Sequence, residues 1–166
     1  MNSAFDPFGA SGAVQGYLYD QWATLYQNYR VHGFYYKVMP TFGSTGISAT
    51  SVRELIITPS LSSAAFATPR ESIEQPRSRS MRWQANSGRA PTMKGYMGMA
   101  PLFGIPKKTY NQESSTAAVT TSNPASLAFL HISTYDPVGS ADVTTNCGIW
   151  ITQYVEFFQR AIPSPS

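Results

Sequence analysis

Few residues in this chain are of types that do covalent chemistry, and their spacing does not gather them. The two histidines, His32 and His131, stand far apart, and each falls in a run that reads as a strand. Cys147 is the one cysteine, so no intrachain disulfide can form, and no nucleophile motif surrounds it. The nine carboxylates are scattered. Glu71 and Glu74 are close, but they fall in a polar stretch and do not stand out as an acid and base pair. His and Cys lack metal-ligand spacing. The glycines of Gly95-Tyr96-Met97-Gly98 make no phosphate loop without a third glycine and a strand-to-helix context. The expectation is a protein that is not an enzyme and uses neither cofactor nor metal.

Chemistry of another kind is concentrated between Arg70 and Arg89. Arg70, Arg77, Arg79, Arg82 and Arg89 are five of the eight arginines, and Ser78, Ser80, Met81 and Trp83 are interleaved with them. Guanidinium groups neutralise phosphates, and a tryptophan among them offers a base a stacking face. The same pattern also suits an exposed strand edge, where charge discourages stray pairing. Spacing leaves both readings open. In a regular strand Arg77, Arg79 and Arg89 would share a face opposite Arg70 and Arg82, splitting the charge between two surfaces. Lys107 and Lys108 form a smaller basic step, which reads equally as a solvated corner. A net charge of +3 and a pI near 9.1 permit a polyanion partner without requiring one.

The elements that must position these residues come from a β-rich composition. Only 13% of the 166 residues are charged and 42% are hydrophobic, with ten Tyr and nine Phe. An ordinary soluble domain carries about 25% charged residues, so much of this surface is expected to be covered by neighbours. The length fits a single domain over residues 1–166. No apolar run approaches the roughly eighteen residues that span a bilayer, and no secretion signal opens the chain. Synthesis in the cytosol or nucleus, with no membrane partner, is expected.

Tyr19, Trp22, Leu25, Tyr26 and Tyr29 recur at helical spacing, and a strand is expected from Arg30 onward. After Gly33 the side chains of Phe34, Tyr36 and Val38 fall on one face and Tyr35, Lys37 and Met39 on the other, until Pro40 stops the pairing. Val52 to Thr58 reads as a strand, residues 59–76 as a long surface loop, and Tyr110 to Ser122 as a polar loop. From Ala90 to Lys108 three prolines and three glycines argue for an irregular segment. It is nonetheless apolar, so Met93, Tyr96, Met97, Met99 and Phe103 are candidate contacts with another subunit. Leu127 to Ile132 reads as a buried strand. In the last strand, Gly148 to Arg160, Ile149, Ile151, Val155 and Phe157 share one face and Trp150, Tyr154 and Phe158 the other. Asp6-Pro7-Phe8-Gly9 and Asp136-Pro137-Val138-Gly139 read as turns.

Particular residues add to the periodicity. Asn2-Ser3-Ala4-Phe5-Asp6-Pro7, the run Asp20-Gln21-Trp22, the step Tyr29-Arg30-Val31 and the terminal Tyr154-Val155-Glu156-Phe157 resemble, in order and spacing, capsid proteins of Rep-encoding circular single-stranded DNA viruses. Lys94-Gly95-Tyr96, followed by Gly104 and Lys107-Lys108, is similar to a further step of that family. The resemblance implies an all-β fold, a jelly-roll sandwich with one short helix before a wall strand, and around the arginine tract a loop followed by an inner wall strand with Trp83 packing inward. It also implies many copies forming a small icosahedral shell, T=1, around a single-stranded DNA genome, with Arg77, Arg79, Arg82, Lys107 and Lys108 as candidate DNA contacts. A host receptor would be a further partner, and the protein would reside in the virion and, during assembly, in the host nucleus or cytoplasm. Family members carry a basic arm and two strands before the Asn-Ser-x-Phe-Asp-Pro motif. This sequence opens at that motif, so those parts have no counterpart within it. A non-viral β-sandwich that binds carbohydrate through its aromatic residues fits the same composition.

Overall fold

The helical period and the β-rich run overlap between Tyr26 and Tyr29, and the strand takes those residues. In the structure, a computed structural model that describes residues 2–7, 15–41, 52–84, 91–135 and 146–161, helix α1 is Tyr19–Leu25 and strand β1 is Tyr26–Thr41. Aromatic residues three and four apart satisfy either geometry, and Tyr26 and Tyr29 gain more from the sheet. Pro40 does not stop β1 either, since the strand runs to Thr41.

The remaining elements are β2 Val52–Ser60, α2 Pro69–Glu74, β3 Arg79–Gln84, β4 Met93–Gly98, α3 Met99–Phe103, α4 Lys107–Gln112, β5 Ala117–Val119, β6 Phe129–Tyr135 and β7 Asn146–Arg160. A 3-10 turn, Ser114–Thr116, precedes β5. The fold is mostly β, in two antiparallel sheets with few helices. One sheet has the order β4-β1-β5, with β7 also paired to β1, and the other the order β3-β2-β6. The register of β1 on β5 sets Tyr29 opposite Ala118, and that of β2 on β3 sets Glu54 opposite Arg82. The turn expected at Asp136 to Gly139, and half of the one at Asp6, lie outside the described residues.

Several stretches expected to be irregular are ordered. The loop after Pro59 contains α2, started by Thr68, whose Oγ1 accepts from the Glu71 backbone N–H, and by Pro69 in the first turn. The Glu71 carboxylate reaches back to accept from the N–H of Ala67, the residue before the cap, at 3.1 Å, one position short of a capping box. The apolar segment after Ala90 becomes β4 and α3. Gly104, at φ 71°, ends α3, and the N–H groups of Gly104 and Ile105 close on the carbonyls of Pro101 and Ala100. Tyr110, expected in a polar loop, is fully buried in α4 and donates its hydroxyl to the Val31 carbonyl at 2.7 Å.

The chain forms two compact units, residues 1–35, 96–129 and 152–166 in the first, and residues 36–95 and 130–151 in the second. The first unit is built around Tyr29, Val31, Phe34, Met99 and Tyr110, all fully buried. Gly33 lets a ring approach the strand here: a Cβ at that position would overlap the Tyr96 hydroxyl and stand 2.9 Å from the Met97 carbonyl oxygen. The second unit is built around Leu55, Ile56, Ile57 and Val38, with Trp83 and Met93 at its margin. Thr58 joins β2 to α2 there, through the Ser72 carbonyl at 2.9 Å and the Ser72 hydroxyl at 2.7 Å.

One buried charge ties the first unit together. Arg30, 7% exposed, donates from Nε to Thr116 Oγ1 at 3.3 Å, from one terminal nitrogen to the Asn111 carbonyl, and from the other to the Glu113 carbonyl at 3.1 Å. Its guanidinium also lies 5.4 Å from the centre of the Phe158 ring. Arg30→Ala removes every one of these donors and is expected to lower stability by on the order of 3 kcal/mol in chemical denaturation. Arg30→Lys should recover only part of that, because an ammonium cannot reproduce the planar fork.

Burial raises the phenols of Tyr19, Tyr29, Tyr36 and Tyr110 above the ordinary tyrosine range. The hydrogen bond to Ser3 offsets part of the rise at Tyr29. The unfolded chain releases these protons near pH 10, earlier than the fold does, so their contribution is complete below about pH 10 and drains away as pH climbs through the folded values. In an alkaline titration, tyrosinate absorbance from these four rings is expected to rise together with loss of the β circular-dichroism signal.

Candidate functional site

The basic tract belongs to the second unit, and so does the excess charge. By sequence, residues 36–95 and 130–151 hold eight basic and five acidic side chains, while the first unit holds four of each. The net +3 therefore lies entirely with the unit that carries the arginines. Arg79 and Arg82 are on β3, at an edge of its sheet, and Arg77 precedes it in a left-handed backbone conformation, φ 66°. All three are exposed. Arg79 donates to the Lys94 carbonyl at 3.3 Å.

Arg82 is committed elsewhere. Its Nε lies 3.0 Å from the Glu54 carboxylate, which is only 4% exposed, so the arginine supplies the counter-charge that lets β2 bury an acid. The carboxylate holds the Arg82 guanidinium above its ordinary pKa. Arg70 pairs with Glu74 one helical turn away at 2.9 Å, and both side chains are largely in solvent. Trp83 is turned away from any base, as the resemblance implied and against the stacking alternative. It alternates with Arg82 on β3 and points inward, 9% exposed. Arg89 lies outside the described residues. Lys107 and Lys108 are exposed in the first turn of α4, in the first unit.

The five candidate interface residues also divide. Met93 and Met99 are inside the chain, 7% and 0% exposed, and Met97 and Phe103 are half-buried. Phe103 packs its ring on Tyr110 with centroids 5.8 Å apart. Tyr96, 56% exposed, stands in solvent and meets Tyr154, 53% exposed, edge to face at 5.7 Å. Two strand positions further along β7, Glu156 binds His32 Nε2 at 2.7 Å. In the first unit β7 thus carries one ring of an aromatic pair and, two positions on, one partner of an ion pair. In the second unit Trp150, half exposed, takes the Lys37 ammonium over its ring at 4.8 Å. Tyr17, Trp22 and Leu25 in and beside α1 are also exposed, although Trp22 and Leu25 belong to the stripe that the sequence period predicted to be buried.

The residues with covalent chemistry stay apart. Among the described residues no three His, Cys, Asp or Glu side chains converge as a metal site would require. His131 bonds the Ser62 carbonyl through Nε2 at 2.9 Å, and burial pushes the Cys147 thiol up, away from its reactive thiolate. Beside His131 is an open pocket of about 160 Å³ lined by Phe66, Thr68, Ser72 and Ser133, roomy enough for one ring-sized group. It arises where α2 and the segment before it meet β6, in the stretch that read as featureless loop. No helix among the described residues is long and apolar enough to cross a membrane.

No protein-family model matches the chain, and no curated protein and no solved structure matches it.

Among the described candidates of the basic tract, Arg77 and Arg79 are the ones with guanidinium groups open to a phosphate backbone. If they contact single-stranded DNA, the double variant Arg77→Ala/Arg79→Ala should lower the salt slope of binding by about 0.7 per lost phosphate contact while leaving the melting temperature in place. Arg82→Ala should do the reverse and lower the melting temperature, because it strips Glu54 of its partner. Fluorescence anisotropy against salt concentration, with thermal melts of the same samples, separates the two roles.

Proposed function

We propose that this chain is a capsid subunit with jelly-roll topology, assembling with copies of itself into a small icosahedral shell around circular single-stranded DNA. The order in which its strands are shared between the sheets carries this reading. β1 lies in the first sheet, β2 and β3 in the second, β4 in the first, β6 in the second and β7 in the first. A jelly roll has eight strands in two sheets, and its third to eighth strands alternate between them in this order. The three-residue β5 is a local addition beside β1. The resemblance in the Asn2 to Pro7, Tyr29 to Val31 and Tyr154 to Phe157 motifs points to the same fold.

The mechanism is association. Exposed apolar side chains on β7, at Tyr96 and around α1 would be withdrawn from water between copies, at roughly 25 cal/mol per Å² of apolar area. The arginines of the second unit would face the genome, with Lys107 and Lys108 as further contacts. The particle would be the virion shell, built in the host nucleus or cytoplasm, and any host receptor would bind its outside.

A second reading, a carbohydrate-binding module, draws on the Tyr96–Tyr154 pair beside the His32–Glu156 ion pair, since aromatic faces with adjacent polar groups suit sugars. Negative-stain electron microscopy of the purified protein, with the ultraviolet absorbance ratio of the same sample, tests both. Uniform closed particles with a nucleic-acid contribution to the absorbance are expected. Monomers or small oligomers whose melting temperature rises with a saccharide would overturn the capsid reading in favour of the second.

A further inference from the structure

Arginine and serine alternate through Arg77, Ser78, Arg79 and Ser80, with Arg82 two positions further on. The structure separates the two serines. Ser78 is half-buried, its hydroxyl 3.0 Å from Thr58 Oγ1, which also meets the Ser72 hydroxyl, and its N–H donates to the Gln75 carbonyl at 3.1 Å. It belongs to the joint between β2 and α2. Ser80 is exposed on β3, where alternation sets it with Arg82 and Gln84 on the outward face while Trp83 turns inward. Arg77 and Arg79 stand three positions and one position before Ser80 and Arg82 two after it, and all three side chains are exposed. The result is an open alcohol in an extended, cationic segment. Kinases that read basic residues hold their substrate extended and pair its arginines with carboxylates of their own, so this segment has the chemistry they select.

We infer that Ser80 is a phosphate acceptor for an arginine-directed serine/threonine kinase, and that its phosphate cancels the cationic tract. The inference rests on the reading in which Arg77 and Arg79 contact DNA, and gives that contact a control. In the transfer the Ser80 oxygen bonds to the γ-phosphorus of ATP and the bond from that phosphorus to the oxygen bridging the β-phosphate breaks. ADP leaves, and the hydroxyl proton passes to a carboxylate of the kinase. Phosphoserine carries a charge of about −2 at neutral pH, which takes the second unit, with its eight basic and five acidic side chains, from +3 to about +1. A receiver for the new charge is already in place. Arg82 holds Glu54 through Nε at 3.0 Å, and its side chain is 67% exposed, so its terminal nitrogens are open on the face that Ser80 shares. The phosphate is then held by guanidinium groups of the protein itself, and a DNA phosphate has to compete with it.

The test treats purified protein with ATP and the catalytic fragment of protein kinase C, which accepts basic residues on both sides of its acceptor. Peptide mapping by mass spectrometry locates the phosphate. A phosphoryl group is expected on Ser80 and none on Ser78. Fluorescence anisotropy with single-stranded DNA at low salt is expected to show affinity lowered on the order of tenfold, with a shallower salt slope. Kinase-treated Ser80→Ala, an exposed substitution that should melt like wild type, is expected to keep its affinity, which separates Ser80 from any other acceptor. Folded protein that takes up no phosphate at Ser80 overturns the inference, and so does phosphorylated protein that binds DNA as tightly as before. Unmodified protein that does not bind DNA sinks the genome-contact reading and the control with it, while phosphate on Ser80 in that same sample upholds the acceptor site alone.

Discussion

The first unit depends on placing one guanidinium out of water. Burying Arg30 would be prohibitive without replacement for its hydration, and the replacement comes from backbone that has its own deficit. The last carbonyls of a helix have no partner within it. Short α4 has no basic side chain in its last turn to supply one. Arg30 reaches from β1 to the Asn111 and Glu113 carbonyls and to Thr116, so the strand caps the helix and the helix solvates the strand's charge. The path from α4 through the 3-10 turn into β5 is fixed by this, which brings Ala117 opposite Arg30 itself in the β1–β5 ladder.

The same economy governs the start of the chain. Asn2 is fully buried and spends both ends of its amide on one loop, donating to the Ser126 carbonyl at 2.7 Å and accepting from the Ala128 N–H at 2.8 Å. The Ser3 hydroxyl lies 3.2 Å from the Tyr29 hydroxyl, contacts Asn123, and accepts from the Asp6 N–H. Tyr19 and Tyr29 then donate to the carbonyls of Thr120 and Ser122, and the Gln153 amide to that of Ser3. The motifs that carry the family resemblance at the start of the chain are thus polar anchors for the backbone of residues 120–128. Their spacing records a folding constraint, and genome contact has to be argued from other residues.

This explains what could be read from the sequence and what could not. The even positions of β1 from Phe34 to Val38 are buried as alternation predicts, and β7 runs close to its expected bounds. Both are signals local to one strand. Tyr110 could not be recognised as core, because its neighbours are polar and its partner, the Val31 carbonyl, comes from a distant strand. Met93 and Met99 read as surface for the matching reason: prolines and glycines around them suggested irregular chain, while β4 and α3 bury them. The Thr68-Pro69-x-Glu71 start of α2 carries a signal, a capping residue, a first-turn proline and an acid three positions on, that the loop expectation for residues 59–76 passed over. The inward turn of Trp83 followed from the family resemblance and not from spacing, since strand parity among arginines fits either face until β2 supplies Glu54 opposite Arg82.

A chain with so few charges must choose where they go, and this one buries several of them. Arg30, Arg53 and Glu54 are 7%, 4% and 3% exposed. The surface is therefore poorer in charge than the composition suggests, and much of what remains lies on α2 and β3, where arginines and glutamates sit in solvent. The consequence falls on β7, whose central residues have only hydroxyls, amides and aromatic or aliphatic side chains to offer to water. Aromatic rings at Trp150 and Tyr154, half in solvent, add apolar area whose removal from water would be favourable. Sparse surface charge and the apolar exposure of β7 are then one property seen twice.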